Sequence, residues 1–198
     1  GFRLLRDVEL MLEDTTTVVV GRNNSGKTSL TDVFRCFASG GSSFKLQDFS
    51  AADRSKFAIA REARLAGEAS QDVLAKLPTI AVTITLTYDK AAPDIGPMSS
   101  FVIDLDANSD TAIAHVIYAP RLSALSSLLD FNVEPETADP VFEFNRHIKD
   151  KIGSAYDVEV WAIDPTVPSN RRRPDINYLV PYPHLPAHQT NASLVSPF

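Results

Sequence analysis

Eight consecutive residues of this 198-residue chain have the types and spacing to hold a polyphosphate: Gly21, Arg22, Asn23, Asn24, Ser25, Gly26, Lys27 and Thr28. The pattern is Gly-x-x-x-x-Gly-Lys-Thr, and each fixed position has a physical task. Gly21 permits a sharp turn, and Gly26 lets the backbone approach a phosphate closely. Successive N–H groups of the loop then point inward around the anion. A helix starting at the loop's end adds its unpaired N–H groups and the positive end of its dipole. Lys27 brings a point charge to the β- and γ-phosphates and is the candidate catalytic residue. The Thr28 hydroxyl is the candidate ligand of Mg²⁺, a cation that prefers oxygen. With Ser29, residues 21–29 form the expected nucleotide-binding set, and ATP with Mg²⁺ is the expected ligand.

The loop needs a strand before it and a helix after it. Residues 15–20 are all β-branched, which suits a strand buried on both faces. Leu30, Val33, Phe34 and Phe37 recur at helical spacing over residues 28–38, and Gly40 and Gly41 end that helix. Upstream, residues 2–12 read as a strand or two, with a turn at Glu13 and Asp14. Residues 44–50 read as irregular. Residues 51–76, rich in Ala, Arg, Glu, Leu and Lys, favour one or two helices that Pro78 stops. Ile80, Val82, Ile84 and Leu86 alternate with Thr and Ala over residues 79–88, which reads as a half-buried strand. Residues 91–100 read as a loop, 101–106 and 112–118 as a hairpin pair, 122–131 and 141–152 as helices, and 158–163 as a strand.

Beyond Asp164 the composition shifts. Pro165, Pro168, Pro174, Pro181, Pro183, Pro186 and Pro197 are seven of the thirteen prolines. Proline blocks helix and central strand alike, so residues 165–198 read as a tail or linker with a single candidate strand at 175–180. The expected division is a lobe at 1–164, with a helical insertion at about 51–76, followed by that tail.

Over Gly21 to Leu30 and the opening Phe2-Arg3-Leu4-Leu5-Arg6-Asp7-Val8-Glu9-Leu10, the chain resembles the amino-terminal part of the ATPase domain of OLD-family ATP-dependent nucleases. Their wider class is the ABC-type ATPase heads of RecF, Rad50 and SMC proteins, in which an Asn two residues after the first glycine is typical. Asn23 matches it. The resemblance is specific over residues 2–38 and suggestive over 44–49 and 79–88. It implies an α/β P-loop NTPase fold, an ABC-ATPase-like amino-terminal lobe with a mixed sheet around the P-loop helix. It also implies ATP sandwiched between two heads, a homo-oligomer formed through those heads, and DNA as a partner of the intact protein. The chain opens at Gly1-Phe2-Arg3, which on this resemblance lies inside the first strand. The signature loop, the switch histidine and the carboxylate-rich Toprim domain of the class have no counterpart, so a truncated amino-terminal lobe is expected, one that binds ATP with little turnover. A glutamine that senses Mg²⁺ has two weak candidates, Gln189 and Gln47. Asp164 after Val160-Trp161-Ala162-Ile163, and Asp104 after Phe101-Val102-Ile103, imitate the acidic strand end of the class. Each is expected to be an ordinary solvated aspartate.

The remaining residues are weighed on their own chemistry. His184 and His188 stand four apart, but Pro181, Pro183 and Pro186 argue against a helix that would let them chelate a metal. Arg171-Arg172-Arg173 could meet nucleic-acid phosphate, with a solvated loop the plainer expectation. Cys36 and Trp161 are expected in the core. The charged stretch 53–68 is expected to be a solvated helix face.

The formal charge of −6 excludes a globally basic nucleic-acid binder but not a local patch. The single cysteine excludes an internal disulfide and fits a cytoplasmic protein. No apolar run is long enough to span a bilayer. Two alternatives stand beside the nuclease-linked ATPase. One is a self-contained small P-loop NTPase or kinase using Asp104 or Asp164 for Mg²⁺, with no Asn-Lys-x-Asp element for guanine. The other is a non-catalytic nucleotide-binding regulatory module.

Overall fold

The computed structural model describes residues 1–12, 16–92, 95–104, 106, 108–132, 139–174 and 190–194, with the backbone alone at 97 and 190–194. The helices form where the sequence supplies both a stripe and a start signal. α1 (Lys27–Ala38) buries Leu30, Val33 and Cys36. α2 (Ala51–Leu65) starts at Ser50, whose hydroxyl accepts from the Asp53 N–H at 3.2 Å. Gly67, at φ +81, separates α2 from α3 (Ser70–Lys76), so the 51–76 stretch is two helices. After β2 (Ile80–Thr87) and β3 (Thr111–Pro120) come the short α4 (Leu125–Leu129) and α5 (Pro140–Ala155). The latter has Asp139 as its cap, accepting from Val141 and Phe142, and Pro140 in its first turn.

One sheet carries β1 (Val8–Leu12), β2, β3, β4 (Tyr156–Ile163), β5 (Arg171–Arg172) and β6 (Thr190–Leu194) in the order β1-β6-β2-β3-β4-β5. Every pairing is antiparallel. The parallel neighbour that a mixed sheet calls for is not among the described strands. Residues 16–20 take no strand conformation, and Val18 and Val20 are exposed to 75% and 84%. The expected buried strand before the loop is therefore not formed over 16–20.

Two further expectations change. The described residues of the 101–106 stretch make no hairpin with β3, because β3 is already flanked by β2 and β4; Phe101 instead ends a 3₁₀ turn that runs from Gly96. Residues 190–194 form a strand inside the sheet, between β1 and β2, where a tail without strands after 180 was expected. Four of those five residues are polar or small, so alternation gave no signal there. The candidate strand at 175–180 and the pair His184 and His188 lie outside the described residues.

All the helices that contribute to the core pack on one sheet face. Ile80 and Val82 of β2, Tyr118 of β3 and Tyr156 of β4 meet Leu30 and Val33 of α1, Phe57 of α2, Leu128 of α4 and Ile148 of α5. Aromatic rings form its centre: Phe44 stacks on Tyr118 at 4.4 Å, and Tyr118 lies 5.0 Å from Tyr156. The Tyr156 hydroxyl donates to the Pro78 carbonyl at 3.0 Å, which satisfies both buried groups.

Candidate nucleotide site

α1 brings Lys27 and Thr28 to the start of a helix whose N-terminus is uncapped. Gly26 occupies the cap position at φ +90 and ψ 4, no side chain caps the helix, and no acidic residue stands in its first turn. An L side chain is strained at that φ, and a Cβ on Gly26 would lie 2.9 Å from Leu5 Cδ2. Asn24 is also left-handed, at φ 65. Asn tolerates this better than most residues. The loop thus bends back over the helix start and leaves the first N–H groups available to an anion.

The cleft in front of this helix is lined by Leu4 and by residues 23–29, with a volume of about 210 Å³. Pockets that enclose a drug-sized ligand are larger, roughly 300–1,000 Å³. The cleft therefore suits a polyphosphate chain, with the rest of a nucleotide lying outside. Within the loop the Lys27 ammonium donates to the Gly21 and Arg22 carbonyls, both at 2.6 Å, and reaches Ser25 Oγ at 3.5 Å. A phosphate entering the cleft competes for those donors with a full charge, the stronger acceptor. Thr28 is exposed and Ser29 buried, so of the two hydroxyl residues Thr28 is the one open to a metal ion.

A turn at the other end of the chain's first segment supports this loop. Phe2 and Leu5 exchange backbone hydrogen bonds at 2.9 and 2.8 Å around Arg3, which sits at φ 51. Arg3 Nε donates to Asp48 Oδ1 at 2.8 Å and Nη1 to Asp32 Oδ2 at 2.6 Å. Asp48 is buried and Asp32 lies on α1, so one guanidinium ties the turn to the helix that carries Lys27. Leu5 then packs on Gly26 and Leu4 lines the cleft. Reading the sequence singled out none of Arg3, Leu4, Leu5, Asp32 and Asp48 for the site. Their contacts span 29 and 45 residues, beyond the reach of any local pattern.

The structure gathers residues 23–29 in the cleft, joins Gly21 and Arg22 to them through the Lys27 ammonium, and places Gln47, Asp104 and Asp164 outside the lining. Gln47 is exposed in the 3₁₀ turn Leu46–Asp48, and Gln189 lies outside the described residues. Asp104 is buried, and its Oδ2 has no hydrogen-bond partner among the described residues. Asp164 accepts from the Thr166 hydroxyl and N–H and the Val167 N–H through Oδ1, and from Asn170 through Oδ2. Led by the Thr166 hydroxyl, these donors hold its carboxyl at about 2, below the ordinary 3.8. It organises a turn rather than standing solvated. No carboxylate lines the cleft among the described residues, and no group of three or more His, Cys, Asp or Glu among them could hold a metal.

Comparison with protein families decides what this site belongs to. The family model described as AAA ATPase domain matches residues 1–159. The chain belongs to that family. It is accordingly a nucleotide-binding ATPase domain of α/β architecture, and ATP is the ligand that membership implies. Comparison with curated proteins and with solved structures gave no match. Among the described residues of this ATPase domain, no helix is long and apolar enough to cross a membrane.

The other residues singled out in the sequence fall as follows. Cys36 is buried, as expected. Trp161 is half-buried on the sheet face away from the helices, not in the core. Arg171 and Arg172 form β5 rather than a loop. The 53–68 stretch is only partly a solvated face: Arg61 donates to the Phe131 carbonyl at 2.9 Å, and Arg64 pairs with Asp130 at 3.0 Å.

Proposed function

We propose that this chain is the ATP- and Mg²⁺-binding lobe of an OLD-like, ABC-type ATPase whose nucleotide cycle gates DNA processing by a nuclease, with phage defence as its setting. The observation that carries the reading is the uncapped start of α1, with Gly26 left-handed and Lys27 and Thr28 at the cleft. The sequence resemblance over residues 2–38 supports the narrower assignment. In this reading the loop amides of residues 21–26 and Lys27 stabilise phosphate charge. The Thr28 hydroxyl is one oxygen ligand for Mg²⁺, and the phosphates supply others. The metal neutralises charge on the β- and γ-phosphates when bound. Attack on the γ-phosphate needs a residue to orient water. None of the described carboxylates lines the cleft, so a second head contributes the missing groups in a cytoplasmic homo-oligomer. The lobe alone binds ATP with little turnover.

A self-contained kinase or NTPase that uses Asp164 is disfavoured, because both oxygens of that carboxylate are engaged in its own turn. An equilibrium titration with Mg·ATP and Mg·GTP, beside Lys27→Ala, tests the site. Saturable ATP binding that Lys27→Ala loses is expected. Equal binding by the variant would sink the assignment, and fast turnover by the monomer would favour a self-contained enzyme.

A further inference from the structure

The sheet face away from the helices carries a second constellation, remote in sequence from the loop. Thr83, His115 and Trp161 lie in one row across β2, β3 and β4. The Thr83 hydroxyl and His115 Nδ1 are 2.9 Å apart, and both side chains are half-buried, as are Ile113 and Ile163 beside them. At the sheet edge, the guanidinium carbons of Arg171 and Arg173 lie 4.6 and 5.1 Å from the Trp161 ring centroid. Glu159 accepts from Trp161 Nε1 at 3.1 Å and from Arg173 Nη2 at 3.0 Å, which fixes the indole and one guanidinium together. Arg171 and Arg172 are exposed, with no ion pair to a carboxylate among the described residues.

This arrangement has a chemical reading. A guanidinium laid on an indole points its in-plane N–H groups outward to oxygen acceptors, at Arg173 those not given to Glu159, and its rotamer is ordered before a ligand arrives. Residues two apart on an extended backbone stand about 6.6–6.8 Å apart. Two such cations can therefore meet successive phosphates of an extended strand. The half-buried row of Ile113, His115 and Ile163 beside the arginine-covered indole is a surface for the π-faces of bases. Nothing here is shaped to enter a duplex groove, which takes a helix or a two-stranded ribbon. In a chain of net charge −6, three consecutive arginines concentrate positive charge at this one edge.

We propose that this face binds single-stranded nucleic acid, with phosphates at Arg171 and Arg173 and bases against the row of Ile113, His115 and Ile163 beside Trp161. The surface lies apart from the nucleotide cleft and gives the DNA-gating reading its point of contact, so its biological sense rests on that reading. The test is anisotropy of a labelled oligothymidylate of about 15 nucleotides, with the fluorescence of Trp161, the chain's one tryptophan, as a second signal. Saturable binding with a change in Trp161 emission is expected. In Arg171→Gln/Arg173→Gln the affinity falls about tenfold, and the slope of log K against log salt falls by about 1.4, two contacts at roughly 0.7 each. That variant keeps Mg·ATP binding, and Lys27→Ala keeps oligonucleotide binding, so failure of either site is read separately. Unchanged affinity in the double variant overturns the proposal. So does no binding at low salt by protein that still binds ATP, or equal binding of a duplex or of polyglutamate.

Discussion

Residues 16–20, Thr-Thr-Val-Val-Val, and residues 80–84, Ile-Ala-Val-Thr-Ile, read alike as apolar, β-branched strands. In the folded chain they part company. β2 has β3 on one side and β6 on the other, and Ile80 and Val82 are 1% and 2% exposed. Residues 16–20 take no strand conformation, and Val20 is 84% exposed. β propensity states that a segment fits a pleated, half-buried surface; it does not supply the neighbours that make that surface. The difference also tells how the nucleotide site is held. The loop is anchored through α1 and the Phe2–Leu5 turn.

The sharpest way to break this comparison is to place a charge in each segment. Val82→Asp puts a carboxylate in the core and is expected to cost more than about 4 kcal/mol in urea unfolding, whereas Val20→Asp changes stability by about 0.5 kcal/mol or less. Comparable losses would mean that residues 16–20 are packed in solution. Next in size is Gly26→Ala, strained at φ +90 and pressed on Leu5. It is expected to cost about 1–3 kcal/mol and to weaken ATP binding. Leu5→Ala in the same chain relieves the contact but not the backbone strain, so only partial rescue is expected in a double-mutant cycle. Full rescue would show that packing alone demands the glycine.

A smaller effect tests the well-packed half. Tyr156→Phe removes the hydroxyl bound to the Pro78 carbonyl and is expected to cost about 1–2 kcal/mol without affecting ATP binding. Smallest is the turn after β4. The Asp164 carboxyl, held at about 2, lends stability that is present above its ordinary 3.8 and is lost as the pH falls through about 2. A carboxyl titration by NMR with a midpoint near 3.8 would show that the turn, and the path of the chain into β5, is not closed in solution.

Much of this fold is legible in the sequence. α1, β2, β4 and α5 follow from periodicity, because each has one face toward the core and a clear start or stop. The phosphate loop follows from chemistry that needs particular residues at particular spacing. The contacts of Arg3 with Asp32 and Asp48 were not legible, since a salt bridge across 29 or 45 residues leaves no local pattern. The reading of Trp161 as core failed for a related reason. Hydrophobicity marks it as a residue to cover, but alternation along β4 puts it opposite Tyr156, Val158 and Ala162, away from the helices.

The sequence by itself determined a loop with the pattern of a phosphate cradle, the helix that follows it and most of the strands around it, because these depend on local sterics, charge and period. Only the tertiary structure decided which apolar run joins the sheet, which turn backs the loop and which arginines meet an indole. Those outcomes depend on the partners available once the chain closes on itself, and residues distant in sequence choose them.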